Sequence, residues 1–171
     1  MMKAIVAVDR NWGIGKDNKL LMSIPDDLQN FKRLTVENIV VMGRKTFESL
    51  PGKKALPDRV NIVLSGDPDF EPDNVIVCRG LNHALDMITY FEQMESRDTY
   101  IMGGSLIYKL FLPYCHSTIV THISHAFEHD TVFPNLSVNK NWFSCYDEAP
   151  KIYDEVSYYV EVFANKEFLK Y

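Results

Sequence analysis

Cysteine is scarce in this chain, basic residues are outnumbered, and no apolar run is long. The cysteines Cys78, Cys115 and Cys145 are odd in number and form no CxxC pair, so they indicate neither a disulfide framework nor a zinc ribbon. A reducing compartment fits this pattern, and we expect a cytoplasmic protein. The first apolar run covers residues 4–8 and ends at Asp9, which is too short for a signal-peptide core or a membrane span.

Basic side chains are too few for one broad class of partner. The 18 Lys and Arg residues against 23 Asp and Glu residues give a formal net charge of -5. Binding along a nucleic-acid backbone needs a clustered basic face, so we expect no nucleic-acid partner. What is present is ordinary for a globular protein, with 46% hydrophobic and 24% charged residues. No internal repeat or linker divides residues 1–171, which are predicted to form a single domain.

Apolar runs alternate with helical patterns along most of the chain. Runs at residues 3–8, 39–42, 59–65, 75–78 and 99–102 predict strands, and the first suits a central strand buried on both faces. Helical spacing predicts helices from about residue 24, after Gly43, over residues 81–95 and after Gly104. Residues 118–124 and 155–163 are β-rich with no helical pattern between them. The order predicts an α/β protein whose sheet is parallel first and antiparallel at its end.

The helix predicted from about residue 24 carries an acid on its apolar face. Ser23 and Pro25 predict a capped start, with Asp26 three residues after Ser23. Asp26 points toward solvent, whereas Asp27 falls within the apolar stripe. The other members of that stripe are Ile24, Leu28, Phe31 and Leu34. Since burial penalises a carboxylate and raises its pKa, Asp27 is either a second capping carboxylate or a buried acid that grips a polar ligand.

Two glycine turns lead from strands into helices. The Gly-Arg-Lys-Thr turn at residues 43–46 is typical of an anion site built from backbone N–H groups, although a solvated helix start has the same pattern. The Gly-Gly-Ser turn at residues 103–105 removes every Cβ before Ser105, which can cap the following helix. Cofactors bind at such strand ends in α/β sheets. Tight strand–helix packing is the alternative.

A glycine loop and three histidines resemble ligand motifs without meeting their requirements. Residues 11–18 predict a loop that can bend sharply or move, and their Gly-x-Gly lacks the third glycine and the helix of a dinucleotide fingerprint. His122, His125 and His129 have the spacing of zinc ligands on a helix. Because His122 lies in an alternating strand pattern, His125 would face the other side. We expect polar strand and loop histidines, and no metal site.

Seven short segments stand in order along the chain: IGKDN at 14–18, PDDLQNFK at 25–32, VMGRKTFES at 41–49, LP at 56–57 with Arg59, MGGSLIY at 102–108, THI at 121–123 and DTVFP at 130–134. Together they resemble the dihydrofolate reductases of the bacterial chromosomal type over nearly the whole chain. The resemblance implies a mostly parallel eight-stranded central sheet with four flanking helices and an antiparallel C-terminal strand.

The same resemblance implies an activity. NADPH would pass a hydride to C6 of dihydrofolate while N5 gains a proton, supplying tetrahydrofolate for one-carbon metabolism. A monomer is expected. Its small-molecule partners would be dihydrofolate and antifolate inhibitors such as trimethoprim.

The resemblance also implies a substrate site around Asp27. Asp27 would bond N3 and the 2-amino group of the pterin, with Thr121 supporting that contact, and its raised pKa suits work near neutral pH. Arg59 would pair the α-carboxylate of the glutamate tail. A backbone carbonyl, three apolar side chains and a second cation complete the site: Ile5, Leu28, Phe31, Leu50 and Lys32.

The cofactor residues implied by the resemblance fall into groups. The phosphate and adenosine side comprises Gly43, Arg44, Lys45, Thr46, Ser65 and Arg79. The pyrophosphate cradle comprises Gly103, Gly104, Ser105, Leu106 and Ile107. The nicotinamide surroundings comprise Ala7, Ile14, Gly15, Leu20 and Met102. Residues 11–22 resemble the mobile lid of the family, whose closure excludes water.

One departure from the family pattern lies just before the first helix. The family usually has proline and tryptophan there, and this chain has Leu21 and Met22. The indole N–H that commonly holds an ordered water by the pterin is therefore missing, which leaves the proton path open. Met22 still fills space and packs on aromatic rings, and it is grouped with Asp27 and Thr121 as catalytic.

Two other functions remain open. A related deaminase–reductase domain acting on a ribosylated pyrimidine shares the sheet and the double glycine, but it would not place an acid in a Pro-Asp-Asp-Leu helix opposite Thr121. A non-catalytic nucleotide-binding module would keep both glycine turns without a reaction. Reduction of dihydrofolate, reduction of the pyrimidine, or binding without turnover distinguishes the three.

Overall fold

A computed structural model describes residues 1–169 of the chain. Its strands are β1 (Met2–Val8), β2 (Gly13–Lys16), β3 (Lys19–Leu20), β4 (Ile39–Gly43), β5 (Val60–Leu64), β6 (Ile76–Cys78), β7 (Thr99–Ile101), β8 (Ser117–Ile123), β9 (Thr131–Val132), β10 (Trp142–Asp147), β11 (Lys151–Tyr153) and β12 (Val156–Asn165). Its α-helices are α1 (Pro25–Thr35), α2 (Arg44–Ser49), α3 (Leu81–Glu95) and α4 (Ser105–Phe111).

Eight strands form the path of the main sheet, in the order β10-β12-β8-β1-β7-β4-β5-β6, and short β11 pairs with β12 beside it. The neighbours from β8 through β6 are parallel. The last strand, β12, is antiparallel to β8, β10 and β11. The predicted fold, a mostly parallel eight-stranded sheet with four helices and an antiparallel C-terminal strand, is therefore confirmed within residues 1–169. The parallel strands bring their carboxyl ends to one edge of the sheet, which is where α/β sheets bind ligands.

The two faces of the sheet are covered to different extents. On one face, α3 and α4 pack through residues such as Ala84, Ile88 and Phe111 into the largest core cluster. On the other face, α2 packs Phe47 against Val40 and neighbouring residues of β4 and β5. Both faces of β4 are therefore closed, which agrees with its continuous apolar run.

Between α1 and α2 the second face is partly uncovered. The register of β1 with β8 sets Ala7 opposite Thr121, and Ile5 lies on the same face because side chains alternate along a strand. Met102, directly after β7, packs toward the Phe47 cluster of this face. Ile5, Ala7 and Met102 are only half-buried. They form the floor of an open cleft whose upper end is the carboxyl edge of the sheet.

The predicted helix caps are wrong by one residue. The N-cap of α1 is Ile24, with no side-chain cap bond, so Ser23 does not cap the helix. Pro25 fixes the first helical position, which places Ser23 one residue too early. The N-cap of α4 is likewise Gly104. The Ser105 hydroxyl donates to the carbonyl of Val132 at 2.9 Å and ties α4 to β9 instead.

The predictions for residues 3–8 and 11–18 also need correction. Strand β1 is fully buried on one face only, because its other face borders the cleft. Residues 11–18 are not a simple loop, since β2 and β3 form a hairpin that pairs with β9 in a separate sheet. A Cβ on Gly13 would lie 2.5 Å from the ring of His129. The absence of a side chain there lets β2 approach that ring, which a count of turn formers could not reveal.

The described residues contain no helix long and apolar enough to cross a membrane. Within the same range, no three or more potential metal-ligating side chains come together. Two of the histidines contact different carboxylates: His122 Nε2 lies 2.8 Å from Glu161, and His129 Nδ1 lies 3.6 Å from Asp9.

Candidate active site

The acid of α1 is bonded to the neighbouring strand. Asp27 is half-buried in the first turn of α1, and its Oδ1 accepts a hydrogen bond from Thr121 Oγ1 at 2.5 Å. Thr121 lies in β8 and is only 3% exposed, so the bond joins helix to sheet. Burial raises the pKa of the Asp27 carboxyl, the Thr121 bond opposes that rise, and the charge of Asp26 adds to it. Asp27 therefore keeps its proton to a higher pH than an ordinary aspartate does.

Asp26 gives a contrast one residue earlier. Its side chain is 54% exposed, and it accepts hydrogen bonds from Lys151 at 2.9 Å and from Tyr158 at 3.1 Å. These bonds, the Lys151 bond first, lower the pKa of Asp26. Both acids line a polar groove of about 360 Å³ that also includes Lys151 and Tyr158. Adjacent carboxyls of one helix are thus adjusted in opposite directions. Asp27 is bonded to the parallel part of the sheet through Thr121, whereas Asp26 is bonded to its antiparallel end.

The floor of the cleft is held by a buried tyrosine. Tyr108 in α4 donates its hydroxyl hydrogen to the backbone carbonyl of Ile5 at 2.7 Å. Burial first, and then the charge of Asp27, raises the pKa of the phenol. Tyr108 therefore remains a neutral donor that fixes the Ile5 carbonyl, and that oxygen keeps a second lone pair for another partner.

Apolar side chains around the cleft remain accessible. Leu28 on α1 is 43% exposed, and Phe31 one turn later is half-buried. Leu50, which follows α2, is also half-buried. Lys32 is exposed on α1 beyond them. The predicted apolar stripe of α1 is thus only partly used for the core, and its remainder is available to a ligand.

Arg59 is held in position beside the C-terminal half of α1. Its Nε donates to Thr35 Oγ1 at 2.8 Å and its Nη1 to the carbonyl of Pro57 at 2.5 Å. The Thr35 hydroxyl donates in turn to the carbonyl of Phe31 at 2.8 Å. Burial lowers the pKa of Arg59 and the charge of Asp58 opposes this, but a guanidinium remains charged in proteins. A third, longer bond joins Arg59 Nη2 to the carbonyl of Lys32 at 3.5 Å. The planar fork is therefore oriented before any ligand arrives.

A surface without side chains joins the ends of β4 and β7. Gly103 has φ +102°, and a Cβ there would lie 2.8 Å from Tyr108 Cε2, so only glycine fits. The amide of Gly43 donates to the Gly103 carbonyl at 2.8 Å. A Cβ on Gly104 would lie 3.6 Å from Thr46 Oγ1, an ordinary contact distance. The Gly103–Gly104 peptide is cis. The structure thus brings together the two glycine turns that the sequence singled out.

Two of the predicted phosphate-side cations, Arg44 after β4 and Arg79 after β6, are already engaged within the protein. Arg44 Nη1 lies 2.5 Å from Asp67 Oδ2, and Arg44 Nε lies 3.7 Å from Glu48. Arg79 donates to the carbonyls of residues 65, 67, 68 and 70. Ser65 is buried, and its Oγ accepts from the amide of Asp67 at 3.2 Å. These side chains follow β4, β5 and β6, which places them at the same edge of the sheet.

The remaining predicted cofactor residues flank this edge. Lys45 is exposed on α2, Leu106 is exposed on α4, and Ile107 is buried in the core beside Gly43. Ile14 and Gly15 lie in β2 and are partly buried.

Residues 11–22 reach across the cleft from β1 to α2. At their start, the buried carboxylate of Asp9 accepts from the amides of Asn11 and Gly13, each at 2.8 Å. At their turn, Asn18 Nδ2 donates to the carbonyl of Lys45 at 2.8 Å. Leu20 is exposed beyond that turn. This segment is therefore tied both to the end of β1 and to the first turn of α2.

Met22 ends the same segment against a small apolar cluster. It packs with Ala7 and Phe127 around buried Ile24 and Ile123. The thioether therefore fills space beside the cleft.

Known proteins are similar to this chain over nearly its whole length. A model of the family described as dihydrofolate reductase matches residues 1–166. The chain belongs to the dihydrofolate reductase family. Its relatives include the dihydrofolate reductase of Bacillus subtilis, which is 38% identical over 142 residues and covers 83% of this chain and 80% of the relative. The dihydrofolate reductase of Staphylococcus haemolyticus is 37% identical over 130 residues, covering 76% of this chain and 74% of the relative.

A solved dihydrofolate reductase has the same fold. The enzyme from Enterococcus faecalis, complexed with NADP(H) and RAB-propyl, superimposes with a TM-score of 0.84 at 34% identity over 96% of each chain. Longer relatives also match. The bifunctional dihydrofolate reductase-thymidylate synthase of Glycine max is 31% identical over 172 residues, which is 91% of this chain but 32% of the relative. The chain therefore spans about a third of the length of that bifunctional relative.

Several residues at this candidate site were missed by the sequence analysis. Tyr108 stands in a family segment, but its bond to the Ile5 carbonyl crosses 103 positions. Thr35, Asp9 and Asp67 likewise act through contacts with Arg59, residues 11–13 and Arg44. A buried hydroxyl at a helix end and an acid in a Gly-Asp-Pro turn are weak signals, because both residue types are common there for local reasons.

Proposed function

We propose that this protein reduces 7,8-dihydrofolate to 5,6,7,8-tetrahydrofolate with NADPH, as its membership of the dihydrofolate reductase family implies. The observation that carries the proposal is the Asp27 carboxyl, which is half-buried, raised in pKa and bonded to Thr121. It stands at an open cleft whose far edge is a side-chain-free surface at the strand ends. A proton donor and a dinucleotide cradle on one cleft are what reduction of a C=N bond requires.

The chain's own groups account for binding and proton supply. The two oxygens of Asp27 match the paired N–H donors of the pterin, and the Thr121 bond fixes one of them. The Ile5 carbonyl, held by Tyr108, has a lone pair left for the pterin amino group. Because burial raises the pKa of Asp27, this carboxyl keeps its proton to a higher pH than an ordinary aspartate, and the proton can reach N5 through a water.

The cradle fits a nicotinamide dinucleotide. A Cβ on Gly104 would occupy the space before Thr46 Oγ1, so glycine keeps this surface open for a pyrophosphate to approach the backbone. Ala7 and Met102 offer apolar surface on the cleft floor for the nicotinamide ring. When bound, NADPH supplies the hydride. Residues 11–22 lie where they would cover the ring and exclude water.

The test is direct. Purified protein is mixed with NADPH and dihydrofolate, and the near-ultraviolet absorbance of the reduced nicotinamide is followed. We expect a decrease that requires dihydrofolate and is faster with NADPH than with NADH. A flat trace from protein that binds both ligands in calorimetry would identify a binding module. A decrease only with a ribosylated aminopyrimidine would identify a deaminase–reductase.

Arg59→Lys is expected to raise the KM for dihydrofolate about tenfold with little change in kcat. Lysine is a point charge without the planar fork that matches the glutamate-tail carboxylate, and it loses the Nε bond to Thr35. Steady-state kinetics over a range of dihydrofolate concentrations measures the effect. Arg33→Lys, which makes the same change at an exposed side chain of α1, is the matched control. An equal change in both variants would contradict the role of Arg59.

Three further properties complete the proposal. Residues 1–171 form a single dihydrofolate reductase domain, supported by the family match to residues 1–166. The protein acts in the cytoplasm, supported by three free cysteines. It is a monomer that binds antifolate inhibitors through the same Asp27 carboxyl, because such ligands present paired N–H donors.

A further inference from the structure

The cation at the proposed phosphate side of the cofactor site is already paired with carboxylates of the same chain. Arg44 Nη1 lies 2.5 Å from Asp67 Oδ2, and Arg44 Nε lies 3.7 Å from Glu48 Oε1. The three side chains are between 37% and 40% exposed, so the cluster is at the surface and open to a ligand. A guanidinium binds a carboxylate or a phosphate best through two parallel N–H donors. Asp67 uses one donor that an incoming phosphate would need.

Asp67 is fixed in this position by its own turn. Its amide donates to Ser65 Oγ at 3.2 Å, and its Oδ1 accepts from the amide of Asp69 at 3.1 Å. Its backbone carbonyl accepts from the Arg79 guanidinium, which also binds other carbonyls of the turn. These bonds leave Oδ2 as the oxygen that pairs with Arg44. The bonds of the turn therefore hold the Asp67 carboxylate in place at this surface.

The effect of a fixed carboxylate depends on which adenosine ribose is bound. A 2′-phosphate is a dianion, so it must share Arg44 with Asp67 and is repelled by it. A 2′-hydroxyl is neutral and can donate a hydrogen bond to a carboxylate, as acidic residues do in NAD sites. Asp67 thus opposes the phosphorylated cofactor and tolerates the unphosphorylated one.

We propose that Asp67 sets the discrimination between NADPH and NADH by competing with the 2′-phosphate for Arg44. This inference rests on the proposed function, since it takes Arg44 as the cation that meets that phosphate. The protein prefers NADPH because Arg44 is present, but by a smaller factor than a neutral residue at position 67 would allow.

Asp67→Asn separates charge from structure. Asparagine retains the Oδ1 that accepts from the Asp69 amide, while the negative charge facing Arg44 is lost. We expect the Kd of NADP⁺ and of adenosine 2′,5′-bisphosphate to fall about fivefold at low salt, and the Kd of NAD⁺ to change less than about twofold. Isothermal titration calorimetry on the full chain gives these constants without turnover. Raising the salt concentration should reduce the gain, because exposed charges are screened.

Asp69→Asn is the matched control, since it removes the same charge two residues away from an exposed side chain. Equal tightening in both variants, or equal tightening of NAD⁺ by Asp67→Asn, overturns the competition with the 2′-phosphate. If the unaltered protein binds NADP⁺ and reduces dihydrofolate but Asp67→Asn leaves every Kd unchanged, this inference alone fails. If no variant binds NADP⁺ or the bisphosphate, the proposed function fails together with it.

Discussion

Asp27→Asn should lower kcat/KM for dihydrofolate reduction about a hundredfold or more near neutral pH. Asparagine keeps an oxygen that can accept from Thr121, but it has no acidic proton and cannot present two carboxylate oxygens to the paired donors of the pterin. Asp26→Asn is the matched control, because Asp26 is exposed and bonded to Lys151 and Tyr158 instead. Steady-state kinetics on both variants measures the difference. Equal losses of kcat/KM would contradict the role of Asp27 as the substrate-binding acid.

The pH dependence provides a second readout for Asp27. Since burial raises the pKa of this carboxyl, the reaction rate of the unaltered protein should fall as pH rises through the folded-state pKa. The Asp27→Asn variant should lack that fall. Stability has a matching sign: above the ordinary value of 3.8, ionised Asp27 is less favourable in the folded state than in the unfolded chain. At pH 8 the variant should therefore melt at the same temperature as the unaltered protein or at a higher one. Any such gain in melting temperature should vanish in acid, where the Asp27 carboxyl is protonated in both states.

Gly104→Ala should weaken NADPH binding about 10- to 100-fold while leaving the fold intact. The added Cβ would sit 3.6 Å from Thr46 Oγ1, a distance that the free protein accepts. The same Cβ would narrow the space through which we propose that a pyrophosphate reaches the backbone at Gly104. Calorimetric titration with NADPH gives the Kd, and a thermal melt gives the stability.

Gly80→Ala is the matched control for that change. Gly80 is also the N-cap of a helix, it belongs to neither glycine turn, and a Cβ there meets nothing within 4 Å. It should bind NADPH as the unaltered protein does. Unchanged NADPH affinity of Gly104→Ala would mean that the backbone at Gly104 does not hold the cofactor. A large loss of melting temperature would mean that Gly104 is needed for packing against Thr46.

The sequence predicted the sheet and its ligand edge because both depend on local patterns. The continuous apolar run at residues 39–42 requires two covered faces, and β4 has them. The acid within the α1 stripe likewise indicated a half-buried carboxyl, since helical spacing alone assigns Asp26 and Asp27 to different faces. The Thr121 partner of Asp27 came only from the family resemblance, because a contact across 94 positions has no local signature.

The errors share a physical cause. Ser23 is a favourable capping residue, but the preference is worth only about 1 kcal/mol, and Pro25 decides where the helix begins. The apolar run of β1 does not reveal that one of its faces borders a cleft instead of a core. The engagement of Arg44 by Asp67 could not be predicted, since the side chains come from turns after different strands.

The bond from Asn18 to the carbonyl of Lys45 has a thermodynamic consequence. It joins the segment over the cleft to the helix that carries Arg44 and Thr46, which we propose to meet the cofactor. We therefore expect the position of the segment and the occupancy of the cofactor site to be coupled. Coupling of this kind is reciprocal. If bound cofactor favours the closed position of the segment by some factor, the closed segment must raise the affinity for the cofactor by the same factor.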